Sequence, residues 1–121
     1  MCLTVKLFMK QGEIWLIELD PTVGAEMNKT RPALIVNTDA LGKLPLKIIA
    51  PITDWKNQYA DYPWMVKIIP DKNNCLTKIS AIDCFQIRSV SVNRFTTKVG
   101  FAELEIIANV QEAVTKVIGT T

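Results

Sequence analysis

The chain contains no histidine. That absence removes the side chain most used for proton transfer near neutral pH, and the one most used to hold zinc. Cysteine is scarce too. Cys2, Cys75 and Cys84 have none of the spacings of a zinc site, and three thiols cannot all pair within one chain. They read as buried or free thiols of a reducing compartment. Arginine occurs only three times, as Arg31, Arg88 and Arg94. With 14 basic against 12 acidic residues the formal charge is +2. No broad basic surface announces a nucleic-acid partner, so any anion site has to be local. No apolar run approaches the ~20 residues that cross a bilayer, and Met1 to Phe8 is too short and too weakly patterned for a secretory signal. The expectation is a cytoplasmic protein without membrane contact, metal or cofactor.

What is present fits one folded domain. The 121 residues are 49% hydrophobic, enough for a single core. Residues 1–8 are expected to be an N-terminal extension ahead of one domain over 9–121. The most informative stretch is Gly12 to Val36. Trp15, Ile17 and Leu19 alternate with Glu18, the period of a half-buried strand. Asp20-Pro21 closes that run, because proline has no N–H for a ladder. A polar loop of about ten residues follows and carries Gly24, Glu26, Asn28, Lys29 and Thr30. Arg31 stands where the chain re-enters a strand, and Pro32 pushes it toward an extended backbone. Ala33 to Val36 is continuously apolar, as in a strand covered on both faces.

Further strands are expected at Leu46–Ile52, Trp64–Ile69 and Ile79–Val90, with a short helical turn at Ser91–Phe95 and a short closing strand at Lys98–Gly100. From Glu103 to Ile118 the period changes. Ile106, Ile107, Val110, Ala113, Val114, Val117 and Ile118 fall on one helical face, with Gly119 at the C-cap position. Strands first and a helix last imply an antiparallel or mixed sheet with the helix packed on one side. Periodicity alone does not choose between an open sheet and a small barrel.

Three words in order, Gly-Glu-Ile-Trp (12–15), Leu-Asp-Pro-Thr-Val-Gly-Ala-Glu (19–26) and Thr-Arg-Pro-Ala-Leu-Ile-Val (30–36), resemble the MazF/PemK (Kid) family of bacterial toxin endoribonucleases. Pro51-Ile52-Thr53 and Gln86-Ile87-Arg88 match further words of that family. The resemblance implies a mainly β (α+β) fold, an SH3-like small barrel of five to seven antiparallel strands with a C-terminal amphipathic helix. It implies the toxin of a type II toxin–antitoxin system, a sequence-specific, metal-independent endoribonuclease that cuts single-stranded mRNA. The 2′-hydroxyl attacks the neighbouring phosphate and leaves 2′,3′-cyclic phosphate and 5′-hydroxyl ends. The implied partners are RNA, a second copy of the chain in a homodimer, and a cognate antitoxin whose acidic C-terminal tail covers the substrate groove.

The residue roles follow from matching positions. Arg31 is expected to be catalytic, clamping the phosphate and partnering the acid step, since a guanidinium fork grips phosphate oxygens bidentately. Thr53 is expected to position the scissile phosphate, its hydroxyl able to donate and accept. Glu26 matches an acidic loop residue and is read as a base or a loop anchor. Asn28, Lys29, Gln86 and Arg88 are expected to bind RNA, with Gln86 and Arg88 on one side of a strand. Two positions depart from the family: Phe85, where many members carry Asp or Glu, and Ala25, where many carry His or another polar residue. Structural alternatives are Arg31 paired with Glu26 or Glu18, and Arg88 paired with Asp83. Trp55, Tyr59, Tyr62 and Trp64 offer faces on which bases could stack, or serve as core. Two other functions stay open: a gyrase-poisoning toxin of the CcdB type, which shares the fold and does not need Arg31 or Thr53, and a catalytically inactive binding module.

Overall fold

The computed structural model describes residues 9–119, so the expected extension over 1–8 lies outside the described residues. Seven strands precede one helix: β1 (Glu13–Glu18), β2 (Thr30–Ile35), β3 (Leu46–Asp54), β4 (Met65–Ile68), β5 (Ser80–Asp83), β6 (Arg88–Ser91), β7 (Phe95–Phe101) and α1 (Leu104–Ile118). Every pairing is antiparallel, in the order β4-β5-β3-β2-β1-β7, with β6 also on β3. The mainly β fold with a C-terminal helix is as the pattern implies. The barrel is not closed: among the described residues the end strands β4 and β7 do not pair with each other.

Two apolar clusters fill the two sides of the curled sheet. Trp15, Ile17 and Leu19 of β1 and its end, with Ala33, Ile35, Ile49, Val90 and Phe95, form one. Trp15 meets Phe95 edge to face at 5.8 Å, a favoured aromatic geometry. Ile14, Leu34, Ala50, Ile52, Ile68 and Ile82 turn the other way and pack with Val110 and Ala113 of α1. Alternate residues of β1, β2 and β3 thus serve opposite clusters, which is why Ala33–Ile35 reads as continuously apolar. The helix begins and ends close to the expected points, with Glu103 as N-cap and Gly119 as C-cap at φ 85°.

The expected strand Ile79–Val90 is two strands. β5 pairs Ile82 with Ile52, and β6 pairs Arg88 with Ile49, both along one edge of β3. Six steps along the β5–β6 chain therefore span three along β3, and three residues are in excess. They bulge out between Asp83 and Arg88. The Asp83 carboxylate ties this turn by accepting the N–H groups of Phe85 at 3.0 Å and Gln86 at 3.3 Å, the Asx geometry of a polar turn.

β7 depends on a close backbone approach at Gly100. A Cβ there would stand 2.3 Å from the Asn73 carbonyl oxygen and 2.9 Å from Asn74 backbone atoms. Asn74 itself is buried and fixed by bonds to Asp71, Leu76 and Ile69, so the backbone it presents cannot move aside cheaply. Gly100→Ala is expected to destabilise the fold by about 1–3 kcal/mol, the usual cost of overpacking. The measurement is a urea titration, with a lowered midpoint and an unchanged slope. An unshifted midpoint would contradict the packing described.

Candidate functional site

Two prolines shape the site. The β2–β3 ladder runs Ile35↔Ile49, Leu34↔Ala50 and Ala33↔Pro51, then stops. The Val36 N–H donates to the Ile48 carbonyl, so by alternation the next donor position past Leu34 is Pro32, which has no N–H to carry the ladder on. β3 continues on its other edge against β5, and β2 continues against β1, where Arg31 pairs with Ile17. Arg31 and Thr53 each lie two residues beyond the last β2–β3 pair, Ala33↔Pro51. By alternation both fall on the face of Ala33, Ile35 and Ile49. The end of the ladder is thus a fork with a guanidinium on one prong and a hydroxyl on the other.

Arg31 is half-buried, and its Nε donates to the Asn28 carbonyl at 2.9 Å. It forms no ion pair with Glu26 or Glu18 among the described residues. The bond at Nε fixes the guanidinium plane and leaves the two terminal nitrogens as the fork that suits a phosphate.

Beside the fork lies a groove of about 400 Å³, lined by Leu19, Ala25, Glu26, Met27, Pro51, Phe85, Gln86, Ile87 and Arg88. It runs between the β1–β2 loop and the Asp83–Arg88 turn. Of the sequence candidates, Glu26, Gln86 and Arg88 line it. Arg31 and Thr53 are not among its lining residues; Thr53 lies two residues along β3 from Pro51, which is. Asn28 and Lys29 are exposed on the loop and outside the groove wall.

Gln86 and Arg88 do share the groove, although Gln86 belongs to the turn rather than to a strand. Both hold the loop. The Met27 N–H donates to Gln86 Oε1 at 2.7 Å, and Gln86 Nε2 donates to the Ala25 carbonyl at 3.4 Å. Arg88 donates to the Leu19 carbonyl at 3.2 Å, in place of the alternative pairing with Asp83. Glu26 Oε1 accepts the Val23 N–H at 2.6 Å, an anchor within the loop. Arg94 was not singled out by motif, yet it donates to the carbonyls of Glu18 at 3.0 Å and Asp20 at 2.6 Å. All three arginines therefore grip carbonyls in or beside this loop.

Two buried groups lie behind the turn. Desolvation raises the Asp83 carboxyl above its ordinary 3.8, against the lowering effect of the Phe85 and Gln86 N–H groups. Burial, then the adjacent Asp83 charge, pushes the Cys84 thiol up to about 12, so it is an inert packing residue. Cys75 is exposed and unpaired with Cys84. Among the described residues no three Asp, Glu or Cys side chains gather as a set of cation ligands.

Residues 10–118 match the model of the PemK-like, MazF-like toxin of type II toxin–antitoxin systems. The chain is 30% identical over 115 residues to endoribonuclease MazF9 of Mycobacterium tuberculosis, covering 87% of this chain and 92% of that protein. It is 32% identical over 108 residues to endoribonuclease EndoA of Bacillus subtilis, covering 88% and 91%. Its fold is similar to that of an endoribonuclease from a mycobacterial species, solved in complex with its cognate antitoxin. There the TM-score is 0.74 at 15% identity, over 93% of this chain and 97% of that one.

Two outcomes test the site's construction. Gln86→Ala removes the partner of the Met27 N–H. Hydrogen exchange at that amide is expected to speed up severalfold, the worth of one such bond, while core amides keep their protection. Asp83→Asn retains an acceptor for the turn and removes the ionisation. The folded chain holds the Asp83 proton more tightly than the unfolded chain does. Ionising it therefore costs stability as pH rises through the ordinary carboxyl value and then the raised folded one. The variant's stability relative to wild type is expected to climb over that range, read from thermal melts at stepped pH. A difference that does not change with pH would contradict the burial of this group.

Proposed function

Because the chain belongs to the PemK-like, MazF-like toxins of type II toxin–antitoxin systems, we propose that it is an endoribonuclease cutting single-stranded mRNA in the cytoplasm at defined sequences. The observation that supports this reading is that Arg31 and Thr53 each follow, by two residues, the pair Ala33↔Pro51 at which the β2–β3 ladder ends. Pro51, at the end of that ladder, also lines the groove of about 400 Å³.

The reaction needs no metal in this reading. The 2′-oxygen bonds to phosphorus while the bond to the 5′-oxygen breaks, giving a 2′,3′-cyclic phosphate and a 5′-hydroxyl. Negative charge builds on the non-bridging oxygens in the transition state. Donors already aimed at that charge lower the barrier most. The terminal nitrogens of Arg31 supply two, and the Thr53 hydroxyl a third. The 2′-hydroxyl passes its proton to solvent water, and one proton reaches the departing 5′-oxygen. Arg31 is the donor placed to partner the second transfer. Glu26 faces the groove, but its bond to the Val23 N–H supports the anchor role over that of base. Asn28 and Lys29, exposed on the loop, are placed to meet the strand's phosphates, with Arg88 on the groove wall.

The partners follow from the same surfaces. Leu46 and Ile48 alternate with buried neighbours on β3 and stay exposed, an apolar strip that suits a second copy in a homodimer. The antitoxin bound to the mycobacterial relative supports a cognate antitoxin here, its acidic tail lying over the groove. One observation favours a second reading: the groove holds Phe85 and Ala25 where the family often carries a carboxylate and a polar residue. In that reading the chain binds RNA or antitoxin without cutting. The gyrase-directed alternative has no such support, and the relatives compared are named endoribonucleases.

Primer extension on a long RNA, with EDTA present, separates the readings. Wild type is expected to give defined cuts. Arg31→Ala should lower the rate by at least about 100-fold, as loss of a transition-state donor does. Thr53→Val should lower it by about tenfold, the worth of one bond to a charged group. A 2′-deoxy nucleotide at the cut should block cleavage. Undiminished cutting by Arg31→Ala, or wild type that binds RNA and never cuts it, would sink the assignment.

A further inference from the structure

The excess residues of the Asp83–Arg88 turn put a phenyl ring where it does little for the fold. Phe85 is 63% exposed, and stabilisation by burial scales with area removed from water. Its ring contact among the described residues is an edge-type meeting with Trp64, centroids 5.7 Å apart and planes at 67°. At least one face of the ring is therefore open. The ring is nonetheless firmly mounted. Its own N–H is tied to Asp83, the next residue is tied to the β1–β2 loop, and the Cys84 N–H donates to the Trp64 carbonyl at 2.9 Å.

Behind Phe85 runs a continuous row of rings. Trp64 stacks on Tyr62 at 4.9 Å and 10°. Tyr62 meets Tyr59 at 6.0 Å, and Tyr59 meets Trp55 at 5.8 Å. Trp55 follows Thr53 by two residues. The row thus links the strand end that carries Thr53 to the groove wall that carries Phe85.

We infer that Phe85 is the stacking platform for an unpaired base of the RNA lying in the groove, a role that rests on the endoribonuclease reading above. An aromatic face accepts any base and needs no hydrogen-bond match. The groove that carries it is also lined by Arg88, so a fitting occupant joins negative charge to flat rings. A single-stranded nucleic acid has both features, and an acidic peptide has only the charge. Phe85 in this reading binds substrate and takes no part in proton transfer.

The test uses a short single-stranded RNA spanning a mapped cut, with 2-aminopurine at either flanking position, and a matched 2′-deoxy version that cannot be cut. Wild type should quench the fluorescence of one flanking 2-aminopurine in the uncut oligonucleotide. Phe85→Ala should lose that quenching and raise KM about tenfold, within the range of one lost stack, while kcat stays within about threefold. Phe85→Trp should restore both. Unchanged KM and no quenching by wild type would overturn the platform. So would a Phe85→Ala variant that keeps its RNA kinetics and loses only its affinity for a synthetic acidic antitoxin tail, since the ring would then be a peptide dock. Quenching by a wild type that never cuts RNA would leave the platform standing and sink the nuclease assignment, so the two readings fail separately.

Discussion

The hydrogen-bond ladder between β2 and β3 ends at Ala33 and Pro51, where the next donor position on β2 is Pro32, which has no N–H to give. From that constraint the rest of the site follows. β3 is freed to take β5 along its other edge, β2 stays with β1, and the two strands part. Side chains that would otherwise face each other across a closed sheet stand instead at an opening. A polar pair at such an opening keeps its solvent until a ligand displaces it, and so avoids the cost of a buried, half-satisfied charge.

Around this fork the chain spends its few arginines and its one turn glutamine on backbone carbonyls and amides of the β1–β2 loop. A loop of this length would ordinarily be the most mobile part of the molecule. Here it is tied from β2, from β6 and from the turn before β7. A guanidinium that makes one such bond still has four donors left. Arg31 and Arg88 can thus brace the loop and present charge to a substrate together, which is how a protein with a net charge of +2 builds a local anion site.

Much of this was legible in the amino-acid order. Alternation in Glu13–Glu18, the apolar run after Pro32 and the helical period from Glu103 onward each mark a real element, because each reports one-sided or two-sided burial. Arg31 and Thr53 could be named from motif words, and the pairing shows that each lies just past the end of the β2–β3 ladder. Other features were not legible. The segment from Ile79 to Val90 carries apolar residues from end to end without a glycine or proline to divide it, and only its pairing with β3 reveals three residues too many. Asp83, placed two and three residues before the N–H groups it accepts, was the available signal for that turn. The closure of the sheet depends on contacts between strands far apart in sequence, which no local period encodes. The motif words mark Gln86 and Arg88 without showing what they hold within the chain. That they hold the loop depends on where the loop folds back, 59 and 69 residues away in the chain.

The unclosed path has a cost that a barrel would not carry. Its outermost strands, β4 and β7, each pair on one side only among the described residues, and an unpaired strand edge invites another chain to add to it. β4 is only four residues long and exposes Lys67, while β7 carries Lys98. Short length and ammonium groups at the rim both discourage such addition. Lysines outside the groove lining therefore matter to the solubility of the free chain, and exchanging them for neutral, strand-forming residues would favour aggregates.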